Sequence, residues 1–219
     1  MISGPAAASA PADAGAESGR AVRLPRRERR EQLLAAAREV FVAHGYHAAA
    51  MDDIAVRAGV SKPVLYQHFP SKLDLYLALL DAGADALVAA VRDALGSTQD
   101  NKLRVQATVL AYYAFVDDPA GAYRLVFESD LTNDPAVRGR LEILDRQCAD
   151  LVSAVIAADT GLSAAQARLL ASGLLGMAQV SARRWLRDRD TVPLEDAAAL
   201  VDLLAWRGIG GFPLSHPSG

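Results

Sequence analysis

The sequence is poorest in the residues that most catalysis and most β-structure require. One cysteine, Cys148, stands among 219 residues. No internal disulfide can form, and a reducing cytoplasm is the expected location. The pattern around Cys148 is apolar and predicts a buried structural thiol. Aromatic residues make up only 6% while hydrophobic residues reach 52%. Ala and Leu supply the difference, which favours an all-α fold over a sandwich or barrel. Alternating Val/Ile/Thr runs that would mark strands are missing. So is any run of about 18 uninterrupted apolar residues, and no membrane insertion is expected. The N-terminus lacks the charged-then-apolar order of a signal peptide. His44, His47, His68 and His216 are scattered, and no HExxH, Walker-type loop, GxSxG or Cys/His metal spacing occurs. The expectation is a protein that is not an enzyme, with no cofactor and no metal site.

Net charge is also small, at −3, but it is unevenly placed. Residues 20–72 hold ten Lys/Arg against five Asp/Glu, a net of +5, while residues 73–219 hold thirteen against nineteen, a net of −6. A basic head on an acidic body suits a protein that meets phosphate with one end only. Residues 1–19 are Ala, Gly, Ser and Pro with two acids, too poor in apolar surface to offset ordering, and a disordered tail is expected. Arg20, Arg23, Arg26, Arg27, Arg29 and Arg30 follow. They are either a solvated helix start paired with Glu28 and Glu31 or an arm that neutralises phosphates, with the arm favoured by its position beside the reading stretch.

That stretch is Met51 to Phe69. Met51, Ile54, Ala55 and Ala58 have helical spacing, with Asp52 and Asp53 in the first turn, where negative charge suits the helix dipole. Gly59 can end this helix in the left-handed region. Ser61 stands at the next N-cap and Pro63 in the next first turn. Two helices joined by a short Gly-containing turn predict a helix-turn-helix. The second helix carries Ser61, Lys62, Tyr66, Gln67 and His68 as a polar face, with Val64 and Leu65 as anchors. Such a mix suits hydrogen bonding to bases and phosphates, although an ordinary αα-corner with a solvated face shows a similar pattern.

Residues 26–80 resemble the DNA-binding domain of the TetR family of bacterial regulators. The likeness rests on Val40-Phe41-Val42-Ala43-His44-Gly45-Tyr46, on Ile54-Ala55 with Ala58-Gly59-Val60-Ser61, and on Leu65-Tyr66-Gln67-His68-Phe69 followed by Ser71-Lys72. The resemblance implies that Tyr66, His68 and Lys72 contact phosphates and that Lys62, Pro63, Val64 and Gln67 face bases. With Ser61, Arg26 and Arg27, these are the candidate DNA-binding residues. The first helix should run from about Arg26 to His44, burying Leu33, Ala37, Val40, Phe41 and His44. Tyr46 and Phe69 should help close a three-helix head.

The remainder reads as a helical body from 73 to 208 and a short tail from 209 to 219. Ser71 to Asp74 is a capping-box-like start to a helix reaching about Leu95, with Leu75, Leu79, Ala82, Ala86 and Ala90 on one side. Further helices are expected over 100–116, over 120–129, and from Asp134-Pro135 to about Ala158. In that last helix Val137, Leu141, Leu144, Cys148, Leu151, Val155 and Ala158 should face inward. Helices over about 163–187 and 193–206 carry more apolar surface than a monomer face needs. A buried monomer core is one explanation and a partner is the other. In the TetR family the two terminal helices of each subunit form the homodimer interface, which the resemblance carries over. Two heads would then read a palindromic double-stranded DNA operator.

Leu103, Leu110, Tyr113, Phe127, Leu144, Cys148, Leu151, Leu174 and Met177 are the candidate effector-binding residues. By periodicity alone they are more often core than pocket, and the family resemblance is what favours a hydrophobic small-molecule effector. A narrower resemblance covers most of the chain. It rests on Leu24-Pro25-Arg26, Gly45 to Ala49, Tyr123 to Glu128, Ala158 to Leu162, and Ala182 to Trp185, which look like the actinobacterial regulators of fatty-acid synthesis, the FasR group. It implies control of fatty-acid synthesis genes and release from DNA by long-chain acyl-CoA. The rival readings are a repressor of an efflux or catabolic operon answering to another lipophile, and, in a different class, a helical lipid-binding carrier.

Overall fold

A computed structural model describes residues 24–119, 121–127, 131 and 133–208, without the side chains of Leu125, Val126 and Phe127. The expected tails, Arg20 and Arg23, and the Phe127 side chain lie outside the described residues. Those residues are all-α, as the Ala/Leu-rich composition predicts. The helices are α1 (Arg26–Ala48), α2 (Met51–Arg57), α3 (Lys62–His68), α4 (Lys72–Gly96), α5 (Asn101–Val116), α6 (Ala122–Phe127), α7 (Pro135–Thr160), α8 (Ala164–Arg187) and α9 (Leu194–Arg207).

Local chemistry sets most of the boundaries. Asp100 accepts from the backbone N–H groups of Lys102 and Leu103 to start α5, and Asp134 does the same for Ala136 and Val137 at α7. Ser163 and Gln166 form a reciprocal capping box at α8. Gly59 (φ +65°) ends the α2 turn and Gly161 (φ +69°) ends α7, each in the left-handed region. Gly45 (φ +75°) kinks α1 without ending it, and one further turn reaches Ala48. Ser61 holds the N-cap position of α3 with extended backbone, but its side chain makes no capping bond. At α4 the Ser71 hydroxyl accepts from the Asp74 N–H and donates to its carboxylate at 2.7 Å, so only half of a capping box forms.

One continuous core joins head and body. Leu33, Ala37, Val40 and Phe41 pack with Ile54, Leu65 and Phe69 in the head, and Leu75, Tyr76 and Leu80 carry the packing into the body. Four expected core positions are exposed instead: His44, Ala82, Ala86 and Ala158. His44 immediately precedes the Gly45 kink, where the helical register is lost. On α4 the buried side is set by Leu80, Leu87, Val88 and Val91, because the larger side chains win the contact with α5 and α7. Ala158, in the last turn of α7, is exposed for the same reason, while Val152 packs inward.

Phe41, Tyr46 and Tyr76 form an aromatic cluster at the junction, with ring centroids 5.3–5.8 Å apart. Tyr46 titrates above its ordinary value because it is desolvated and because Asp134, the cap of α7, lies close by. The N-terminus of α7 therefore lies near the end of α1. Arg140 on α7 pairs with Asp81 on α4 at 2.7 Å.

Candidate functional site

The candidate reading face is built on α1, α2 and α3. Gln32 on α1 donates to the Ala58 carbonyl at 2.8 Å, and Arg57 on α2 pairs with Glu39 on α1. These ties fix α2 against α1, and α2 presents α3. On α3, Leu65 is fully buried and Phe69 just beyond it is 2% exposed, so both anchor the helix from behind. Ser61, Lys62, Pro63, Tyr66 and Gln67 are exposed, with Val64 and His68 half-buried at the edges of that face. The structure thus gathers seven of the candidate residues on one outer surface.

The arginines of α1 extend this surface. Arg30 lies 4.3 Å over the Phe69 ring. His68 titrates below its ordinary value, first from desolvation and then from the nearby charges of Arg26, Arg30 and Arg29. The imidazole is therefore neutral near pH 7, inside a positive field already supplied by guanidinium groups. Arg27 points elsewhere and pairs with Glu31 at 3.0 Å. Lys62 bridges to Asp52 at 2.7 Å, which joins the two helices of the motif and raises the lysine's pKa. Lys72 has a different position from its neighbours. Its ammonium donates to the carbonyls of Tyr46, His47 and Ala49 at 2.8–3.3 Å and lies 4.5 Å over the Tyr46 ring. All three of its hydrogens are used, so it clamps α4 to the end of α1.

Behind the head, α4, α5, α7, α8 and α9 enclose an apolar cavity of about 620 Å³, within the range of small-molecule sites. Val91 and Leu95 of α4 form part of its wall. Of the candidate effector residues, Leu174 and Met177 line it. Leu144, Cys148 and Tyr113 are buried in the packed core instead, with Tyr113 5.5 Å from Trp185, and Leu151 packs against that core. Helical periodicity cannot separate a wall from a core, since both are apolar. Burial pushes the Cys148 thiol up to about 11, in keeping with a structural role. Leu103 is 47% exposed on α5, and Leu110 borders a separate shallow groove.

Sequence reasoning missed the polar residues of the cavity. At one end Arg104 donates to Asp159 at 2.8 Å, to the Thr98 carbonyl, to Asn101 and to Gln99. Further in stand Thr108 and Tyr112. The available signal was a charged residue and two hydroxyls at four-residue spacing within an otherwise apolar helix. On the other side, Leu169 and Trp206 line the cavity while remaining 74% and 45% exposed, so it opens toward the outer faces of α8 and α9. Among the described residues no helix is long and apolar enough to cross a membrane.

Comparison with known proteins agrees with this geometry. Residues 33–79 match the model for bacterial regulatory proteins of the tetR family. The chain is 48% identical over 194 residues to the HTH-type transcriptional activator FasR of Mycolicibacterium smegmatis, covering 89% of each. A TetR-like transcriptional regulator from Rhodococcus sp. RHA1 superposes with a TM-score of 0.69 at 27% identity, covering 87% of this chain and 100% of that one. The regulator FadR of Bacillus subtilis, solved with stearoyl-CoA, has the same fold at 18% identity (TM-score 0.69, covering 82% and 98%). The exposed face of α3, the ties that hold it and the family match together show that the chain belongs to the TetR family of DNA-binding transcription regulators.

Proposed function

We propose that this regulator controls fatty-acid synthesis genes from the cytoplasm, and that a long-chain acyl-CoA in the body cavity relieves its hold on a palindromic operator. The observation that carries the reading is the course of α4. Its first residue, Lys72, is clamped to the end of α1, and Val91 and Leu95 near its far end form cavity wall. A helix of 25 residues spans roughly 37 Å at about 1.5 Å per residue. It is therefore a rigid lever between ligand and head. An occupant that displaces the wall tilts α4, and the head moves with Lys72. A dry cavity of this size suits an aliphatic chain, and the Bacillus subtilis protein of the same fold was solved with stearoyl-CoA.

Exposed apolar side chains support dimerisation through α8 and α9. Leu169, Leu170 and Val180 on α8 and Leu200 and Trp206 on α9 are large apolar residues left 45–74% exposed. A Cβ added at Gly173 or Gly176 would meet nothing within 4 Å, so this surface of α8 is open to close approach by a second helix. Two copies joined here would carry two heads to a two-fold operator. The test is fluorescence anisotropy on the labelled promoter of a fatty-acid synthase gene. Palmitoyl-CoA should release the protein and butyryl-CoA should not. Equal responses to the two remove the fatty-acid assignment.

A further inference from the structure

The candidate reading face carries a charge pair whose acid belongs to another helix than its base. Lys62, the first residue of α3, bridges to Asp52 in the first turn of α2 at 2.7 Å, with side chains 55% and 64% exposed. Tyr66, one turn on and so on the same side of α3, also bears on the charge of Lys62.

The bridge is not needed to hold the motif together. The Val60 N–H donates to the Ala55 carbonyl at 3.0 Å across the turn, and Ile54, Ala55 and Leu65 pack in the core. An exposed ion pair adds little to such packing. What it does is remove freedom from the lysine. A lysine ammonium is a point charge with three hydrogens on a flexible four-carbon stem. Unrestrained beside DNA it goes to phosphate, which carries no sequence information. With Asp52 accepting one hydrogen, two remain for a base edge, and lysine donation to guanine O6 and N7 is a specific contact of the major groove. The first residues of a recognition helix are those placed against base edges. A carboxylate at this surface otherwise only weakens binding, because it repels phosphate.

We infer that Asp52 is a positioning residue for DNA recognition: its carboxylate holds the Lys62 ammonium off the phosphates and toward a base edge, which raises sequence preference and lowers general affinity. This rests on Lys62 facing the bases, which one variant below tests by itself. Asp53 supplies the control. It is the adjacent acid on α2, is exposed, and forms no ion pair among the described residues.

The test uses the full chain and two readouts. One is base preference, from sequencing the duplexes retained out of a randomised pool. The other is the salt dependence of affinity for a duplex of unrelated sequence, by fluorescence anisotropy. The altered side chains are all exposed, so the variants keep the fold. K62M should lose preference at one base pair in each half-site. D52N should lose about threefold or more of the preference at that same base pair, D52E should keep it, and D52N in a K62M background should change it no further. On the unrelated duplex, D52N should steepen the dependence of log affinity on log salt by about 0.9, the value of one added phosphate contact, and by more than D53N does. Unchanged preference in K62M would take Lys62 off the bases and the inference with it. Preference lost in K62M but kept in D52N would overturn the role of Asp52 alone. Equal salt slopes in D52N and D53N, or a further loss of preference on adding D52N to K62M, would overturn it as well.

Discussion

Lys72 shows how a single side chain can join two parts of a molecule. Its three hydrogen bonds cap the carbonyls at the end of α1, where the helix dipole also favours a cation. Lys72→Met keeps the aliphatic stem and loses the clamp. We expect a loss of about 1–2 kcal/mol in urea unfolding, the worth of charged hydrogen bonds reduced for solvent screening. His68 differs, because its environment opposes its charge. Its folded pKa lies below the ordinary value near 6.5. Its contribution to stability is present above pH 6.5 and is lost as pH falls through the folded pKa. Phosphate beside the ring would reverse the local field and favour protonation. Operator affinity should therefore rise from pH 8 to pH 6, measured at constant ionic strength, and His68→Gln should flatten that rise. An unchanged slope in the variant would place His68 away from the phosphates.

At the scale of elements, the joint between α1 and the segment leading into α6 is as tight as the clamp at α4. Gly121 has φ +72°, and a Cβ there would stand 2.8 Å from Cγ2 of Val42. Gly121→Ala should cost about 1–3 kcal/mol from the left-handed backbone alone, with the overlap added to it. In a Val42→Ala background the same change should cost less, since the overlap goes and the backbone strain stays. Equal costs in the two backgrounds would show that Val42 yields freely. The helix-turn-helix was legible at this scale because its boundaries are written locally, in Gly59, Ser61 and Pro63. The division of α5 and α7 into core and cavity wall was not. Tyr113 and Tyr112 are adjacent in the sequence and equally apolar in pattern, yet one packs beside Trp185 and the other lines the cavity.

For the whole molecule, the proposed function gives the outer faces of α8 and α9 two jobs. They carry the exposed apolar residues assigned to the dimer, and through Leu169, Leu170 and Trp206 they also border the cavity. On the proposed function, ligand entry and subunit contact are therefore neighbours. Val180 is 68% exposed and stands outside the cavity lining, so Val180→Asp isolates the second role. It should leave thermal stability of the single chain nearly unchanged, convert dimer to monomer in sedimentation velocity, and weaken operator binding at least tenfold, because one head then binds alone. A variant that remains dimeric would move the interface elsewhere.

What the amino-acid order determined unaided was everything whose cause is local. The helical class follows from Ala and Leu content, most helix ends from Ser, Asp and Gly at their positions, the helix-turn-helix from a Gly turn between two short helices, and the basic head from where the arginines fall. Only the folded chain decided which of many apolar residues surround empty space. A cavity is a failure of five helices to fill the volume between them, and no helix carries that information alone. The same holds for Lys72, whose carbonyl partners lie 23 to 26 residues away, and for Thr108 and Tyr112, whose buried hydroxyls lack hydrogen-bond partners because of what the other helices do not place beside them.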